Sequence, residues 1–262
     1  MLEVHGLRKT FGDFVAVDEV AFALAAGGSL AIVGESGSGK TTTARMIAGL
    51  EAPTAGRIVV AGEERRAGRV RHADRRARAR QIQMVFQDPY ASLDRRQRVA
   101  DAIAEAVALN RPMKGEALHS RVTELLDMVG VDERQARSLP KSLSGGQRQR
   151  VAIARALAAE PSVLILDEAV AALDVSIQAQ ILNLLARIRA TTGTALLFIT
   201  HDLGAVPHIS DEVLVMQAGR VVEHGRVEEV LGDPRHAYTR RLIDSIPKPG
   251  WKPRRRRPLP AA

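Results

Sequence analysis

The 262 residues carry 38 Lys and Arg against 30 Asp and Glu, a formal net charge of +8, so nucleic acid or an anionic surface has to be considered as a partner. There is no cysteine, which excludes disulfides, thiolate metal sites and iron–sulfur clusters and suits a reducing compartment. Hydrophobic residues make up 45%, enough for a sizeable core. No apolar run approaches the ~20 residues of a membrane span, and the N-terminal Met1–Gly12 lacks a signal-peptide stretch. A soluble protein is expected, with any membrane work done by a partner.

Taken in chain order, Leu2–Leu7, Ala16–Leu24 and Arg57–Ala61 read as strands of a small antiparallel layer. Leu30–Val33, Met84–Phe86, Val163–Leu166 and Leu196–Thr200 are short apolar runs of the kind that parallel strands buried on both faces show. Each of these runs ends in a polar or flexible residue: Gly34, Gln87, Asp167 and His201. In open α/β sheets ligands collect at the carboxyl ends of strands, so a site is expected at that edge. From about 95 to 159 the pattern is helical, with Val99–Leu109, Ala117–Val129 and a helix opening at Gly146, which predicts a helical lobe inserted into the α/β core. Glu212–Gln217, a turn at Ala218-Gly219 and a short strand through Val222 follow. Eight arginines lie between Arg65 and Arg80 and four more at Arg254–Arg257. A solvated surface is the favoured reading of both clusters; contact with anionic lipid or RNA is the alternative. Only 3% of residues are aromatic, which leaves few platforms for stacked bases. The Pro- and Arg-rich residues 248–262 read as a disordered tail behind one domain, 1–247.

Gly34-Glu35-Ser36-Gly37-Ser38-Gly39-Lys40-Thr41 satisfies G-x-x-x-x-G-K-[ST] between a predicted strand and a predicted helix, Thr41–Leu50. Its glycines let successive backbone N–H groups face one point, and the helix that follows adds its partial positive charge. Lys40 is placed to reach β- and γ-phosphates and the Thr41 hydroxyl to ligate Mg²⁺, with Thr42 beside it. Val163–Glu168 supplies the complement: Asp167 emerges from a buried strand to hold Mg²⁺, and Glu168 is placed to orient or deprotonate a water.

Leu143-Ser144-Gly145-Gly146-Gln147 combines a capping box, Ser144 with Gln147, and two glycines that bare backbone N–H groups at a helix start. This is a second phosphate-binding surface in the same chain. Here the sequence resembles the ABC ATPases, whose LSGGQ signature it carries intact. The resemblance implies a P-loop NTPase core of the RecA-like type with an antiparallel β layer and an inserted helical subdomain. It also implies ATP and Mg²⁺ as cofactors, with two subunits, identical or different, sandwiching nucleotide between phosphate loop and signature. In that family Gln87 matches the Q-loop glutamine that senses Mg²⁺, and Ala172-Leu173-Asp174 matches the D-loop. His201 matches the switch histidine, and Phe11 stands where an aromatic stacks on adenine.

The likeness runs from Leu2 to about Pro247 and is similar to the oligopeptide, dipeptide and nickel permease ATPases. Gly34–Thr42, Gln87–Leu93, Leu173–Leu185 and Asp233–Thr239 carry it. It implies an ATP-hydrolysing subunit at the cytoplasmic face of the cell membrane, energising permease subunits that import peptides or a similar small solute. An extracytoplasmic binding protein would deliver that solute, and no nucleic-acid partner is expected. Two alternatives stay open: an accessory ABC protein of a carbon–phosphorus lyase-like assembly, and a nucleic-acid-associated ABC ATPase. One departure stands out: Asp167-Glu168-Ala169-Val170-Ala171 replaces the family's usual Asp-Glu-Pro-Thr-Ser, which puts the dimer-interface geometry in question and leaves the phosphate, metal and water groups intact.

Overall fold

The first strand sets the pattern for the N-terminal layer. In β1 (Leu2–Phe11), Leu2 and Val4 turn inward with the two-residue period of a half-buried strand, and a register shift after Val4 brings Leu7 inward next. The computed structural model describes residues 1–65, 72–88 and 93–245. β1 pairs antiparallel with β2 (Phe14–Leu24) on one side and β4 (Ala55–Val60) on the other, with Leu2 opposite both Leu24 and Val60. A two-residue strand, β5 (Glu63–Glu64), completes a sheet of order β2-β1-β4-β5. This is the expected antiparallel layer.

The second sheet is built differently. β3 (Ser29–Val33), β7 (Val163–Asp167) and β8 (Ala195–Thr200) are buried at every position, so both faces are covered and the strands read as continuous apolar runs. With β6 (Ile82–Val85), β9 (Glu212–Gln217) and β10 (Arg220–Arg226) they form a six-stranded sheet of order β10-β9-β3-β8-β7-β6. All its neighbours are parallel except β9 and β10, a hairpin. Its turn residues Ala218 (φ 46) and Gly219 (φ 81) both have positive φ, the requirement of a two-residue turn that follows the strand twist.

Alternate residues of this sheet face two cores. On one side Leu30, Ile32, Ile165 and Ile199 pack with α1 (Lys40–Ala48), whose Ala44, Met46 and Ile47 are enclosed beneath the antiparallel layer. On the other, Val33, Leu166 and Phe198 meet α7 (Val175–Thr192) and the helical lobe. α2 (His72–Gln81) precedes β6. The lobe comprises α3 (Val99–Asn110), α4 (Gly115–Val129), α5 (Glu133–Ala136) and α6 (Gly145–Leu157) and is inserted between β6 and β7. α8 (Val227–Gly232) and α9 (Ala237–Asp244) follow the hairpin. Three expectations fall on residues outside those described: the disordered tail with its Arg254–Arg257, residues 66–71 of the arginine-rich stretch, and residues 89–92 of the Gln87–Leu93 motif. Helix starts differ from expectation by one residue at Lys40 and Gly145 and by two at Gly115, the usual uncertainty of a helix end.

Candidate nucleotide site

The loop between β3 and α1 closes on itself around one ammonium. Lys40 Nζ donates to the carbonyl oxygens of Gly34 and Glu35, each at 2.8 Å, and to Ser38 Oγ at 3.5 Å. Burial depresses the Lys40 pKa; the carboxylates of Glu168, Asp167 and Glu35 work against that and favour the charged form. A buried cation held by neutral oxygens and nearby acids is a receptor for anionic oxygen. Gly39 makes the tight curl possible. Its φ is 100, and a Cβ there would stand 2.5 Å from the Ala16 carbonyl oxygen, so both conformation and space exclude other residues.

The walls of the loop come from distant parts of the chain. Gly219 N–H donates to the Ser38 carbonyl at 3.0 Å, while the Gly219 carbonyl accepts from Asp18 N–H at 2.8 Å, so the β9–β10 turn bridges loop and β2. Glu35 N–H donates to Tyr238 Oη at 3.0 Å.

At the neighbouring strand end, Thr41 Oγ1 donates to Asp167 Oδ1 at 3.0 Å. Burial pushes the Asp167 pKa up, against the Thr41 hydrogen bond that lowers it; Glu168 adds to the rise, and Arg45 and Lys40 oppose it. Hydroxyl and carboxylate oxygens side by side are the hard donors that suit Mg²⁺. Glu168 follows directly, with φ 49, a left-handed conformation that costs a residue of its kind on the order of 1–2 kcal/mol. Its N–H donates to the Ile199 carbonyl at 2.9 Å, and His201 Nδ1 lies 3.3 Å from its Oε1. Two adjacent strand ends thus bring Asp167, Glu168 and His201 together beside the phosphate loop.

The cleft over the loop is lined by Phe11, Phe14, Ala16, Ser36, Gly37, Gly39, Lys40, Thr41, Thr42 and Glu168. Phe11 is half exposed, with the Lys9 ammonium 4.8 Å from its ring centre. Phe14, even more exposed, went unnoticed in the sequence because a lone aromatic beside a turn carries no pattern.

The signature lies in a second cleft. Ser144 caps α6 in both directions: Gln147 N–H donates to Ser144 Oγ at 3.3 Å, and Ser144 N–H donates to Gln147 Oε1 at 2.8 Å. Gly146 is required by space, since a Cβ would meet Ile177 Cγ2 of α7 at 2.5 Å. Exposed Gly145 shares this cleft with Gln87, Arg148, Gln149, Ala169, Ala172 and Leu173. Gln87 lines the same cleft as Gly145 of the signature helix, two residues beyond Val85, which pairs with Leu166 on the strand that ends in Asp167. In the variant stretch, Ala169 and Val170 are buried in the core while Ala171 is exposed. An apolar residue at 170 spares the protein an enclosed hydroxyl.

Comparison with known proteins bears on the whole arrangement. A family model described as "ABC transporter" matches residues 17–171, and one described as "Oligopeptide/dipeptide transporter, C-terminal region" matches 222–261. The chain is 51% identical over 243 residues to the oligopeptide transport ATP-binding protein OppD of Mycobacterium tuberculosis, covering 93% of this chain but 39% of that protein's length. It is 43% identical to the di/tripeptide transport ATP-binding protein DppF of Pseudomonas aeruginosa, covering 93% of this chain and 75% of that one. Among solved structures, cbiO1 of Clostridium perfringens, described as part of the ABC transporter complex cbiONQ, superposes with a TM-score of 0.81 at 31% identity, covering 88% of this chain and 90% of that one. The ATP-binding cassette MJ0796, a dimer bound to ADP and Pi, gives a TM-score of 0.77 at 28% identity, over 87% of this chain and 99% of that one. With the phosphate loop, the acidic strand end and the signature all in place, the chain belongs to the ABC transporter family, and within it to the ATP-binding proteins related to oligopeptide and dipeptide transport.

Proposed function

We propose that this chain is the ATP-hydrolysing subunit of a peptide importer, working as one of a pair of cassettes beneath membrane permease subunits on the cytoplasmic face. The observation that carries the reading is the collection of Lys40, Thr41, Asp167, Glu168 and His201 at one sheet edge, joined by a signature surface that lies in a different cleft. The peptide substrate class rests on what the relatives are named for.

ATP would lie with its base against Phe11 and Phe14 and its phosphates over the loop from Gly34 to Thr42. Lys40 would hold β- and γ-oxygens. Thr41 and Asp167 would hold Mg²⁺, which when bound would supply charge neutralisation at the phosphates. Glu168 would orient the attacking water and take its proton, and His201 would hold the Glu168 carboxylate and the γ-phosphate in register. Ser144 and the N–H groups of Gly145 and Gly146 would complete the site on a partner cassette. Gln87 follows β6 at the boundary with the helical lobe and lines the cleft of Gly145, a place that would suit a sensor between the two. Among the described residues no helix is long and apolar enough to cross a membrane, in keeping with separate permease subunits.

Deleting the gene and following uptake of labelled di- and oligopeptides tests the assignment. Peptide uptake should fall and return with the wild-type gene but not with a Glu168→Gln copy. Unchanged uptake in the deletion strain would reject a peptide-importer role.

A further inference from the structure

The motif Asp233–Thr239 has no part in the ATP chemistry described above, yet its tyrosine reaches the phosphate loop. Tyr238 is buried (3% exposed), and its phenolic oxygen accepts the Glu35 N–H at 3.0 Å, across 203 positions of chain. That N–H belongs to the peptide linking Gly34 and Glu35, and the carbonyl of the same peptide, Gly34 O, accepts from Lys40 Nζ at 2.8 Å. A peptide unit is planar, so fixing its N–H fixes the direction of its C=O. Tyr238 and Lys40 therefore hold opposite ends of one rigid plate.

The tyrosine is itself held. Glu223 of β10 accepts from the N–H groups of Arg235 at 2.8 Å and His236 at 3.1 Å. His236 Nδ1 caps α9 by accepting from Tyr238 N–H at 3.2 Å, and the Arg241 guanidinium lies 5.9 Å from the Tyr238 ring centre. The ring is packed in the larger core cluster. The segment lies inside the stretch matched by the oligopeptide/dipeptide C-terminal model and outside the residues matched by the ABC model.

We propose that Tyr238 is a positioning residue for nucleotide binding: through the Gly34–Glu35 peptide it holds the phosphate loop in its receptive curl and sets where the Lys40 ammonium stands. The C-terminal segment is then a working part of the ATP site, and its docking sets the fraction of chains whose loop can receive phosphate. Apparent affinity falls in proportion to that fraction. Once phosphate is bound it orders the loop itself, so turnover at saturation changes little. This inference rests on the reading of Gly34–Thr41 as the ATP site.

Tyr238→Phe in the full-length chain removes the acceptor and keeps the ring. The ATP KM should rise about three- to tenfold, the size of one hydrogen bond's net contribution, with kcat within about twofold of wild type. In nucleotide-free protein, hydrogen exchange at the Glu35 amide should quicken while core strands keep their protection. Glu223→Gln, which can accept only one of the two N–H bonds it replaces, should move KM and Glu35 exchange the same way by less. Should the Tyr238→Phe chain be unstable, the Glu223→Gln measurements decide. Wild-type KM and wild-type Glu35 exchange in the soluble variants would overturn the proposal. Lys40→Ala separates the two levels: if it still binds ATP normally, the loop assignment fails; if it loses ATP while Tyr238→Phe keeps wild-type KM, only the role of Tyr238 fails.

Discussion

The Thr41 hydroxyl donates to Asp167 Oδ1 at 3.0 Å, joining the first turn of α1 to the end of β7. Asp167 is held there against the cost of burial, which raises its pKa. For a carboxyl whose folded pKa lies above its unfolded value, ionisation disfavours the fold. That penalty is fully present above the folded pKa and disappears as pH falls through it to the unfolded value. Asp167→Asn should therefore raise the Tm of the nucleotide-free protein at neutral pH, by about 2–4 °C for each kcal/mol recovered, while lowering ATP hydrolysis by on the order of 100-fold or more. The Tm advantage over wild type should shrink as pH approaches 4. Thermal scans of both proteins across pH check the sign, and an advantage that grew on acidification would contradict it.

Lys40 and Glu168 should separate binding from chemistry. Lys40 is enclosed and faces the loop, so Lys40→Ala should weaken ATP binding by on the order of 100-fold. Glu168→Gln keeps the shape and loses the base; ATP affinity should stay within a few-fold while kcat drops about 100-fold or more. Equilibrium binding alongside steady-state hydrolysis distinguishes the two. Near-normal turnover by Glu168→Gln would remove that residue from its role.

Phe11 and Phe14 together form the apolar lip of the cleft. Phe11→Ala should raise the ATP KM by about fivefold or more, since stacking on a base contributes roughly 1–3 kcal/mol. Because every base presents a π-face, ATP and GTP should lose affinity to similar extents. A KM that is unchanged for both nucleotides would show that the base lies elsewhere.

Ser144 caps α6, whose next residue, Gly145, lines a different cleft from Lys40, so each should act on nucleotide held with a different chain. Lys40→Ala and Ser144→Arg homodimers each carry two damaged sites. A mixed dimer carries one site with both lesions and one with neither. Mixing the two chains should restore up to about a quarter of wild-type activity on random pairing, if one intact site suffices. No recovery despite demonstrated mixed dimers would mean that the sites are not shared or must fire together. If this chain pairs only with a different cassette, the lesions go on opposite members of that pair.

What the sequence revealed and what it hid divide along sequence distance. β3, β7 and β8 were legible because strands covered on both faces leave unbroken apolar runs. The Ser144–Gln147 capping box was legible because both its bonds span three residues. By contrast α2 has Arg75, Arg76, Arg78 and Arg80 within its span and no apolar period, so no helical pattern announced it. Phe14 and the bond from Glu35 to Tyr238 escaped because their meaning depends on partners brought together by the fold. Strand order was equally hidden: β3 lies between β8 and β9, which no local pattern records.

That strand order also governs when the protein can acquire its site during synthesis. β3 pairs with Ala195–Thr200 and Glu212–Gln217, and the loop it feeds is braced at Gly219 and Tyr238. A nascent chain that has emerged only through the helical lobe therefore holds an apolar strand without neighbours and a phosphate loop without walls. Such a partner-less strand is exposed to pairing with other chains until late translation. The ribosome must deliver the chain through residue 238 before every brace of the loop is present, so a product truncated before that residue lacks the bond from Glu35 to Tyr238.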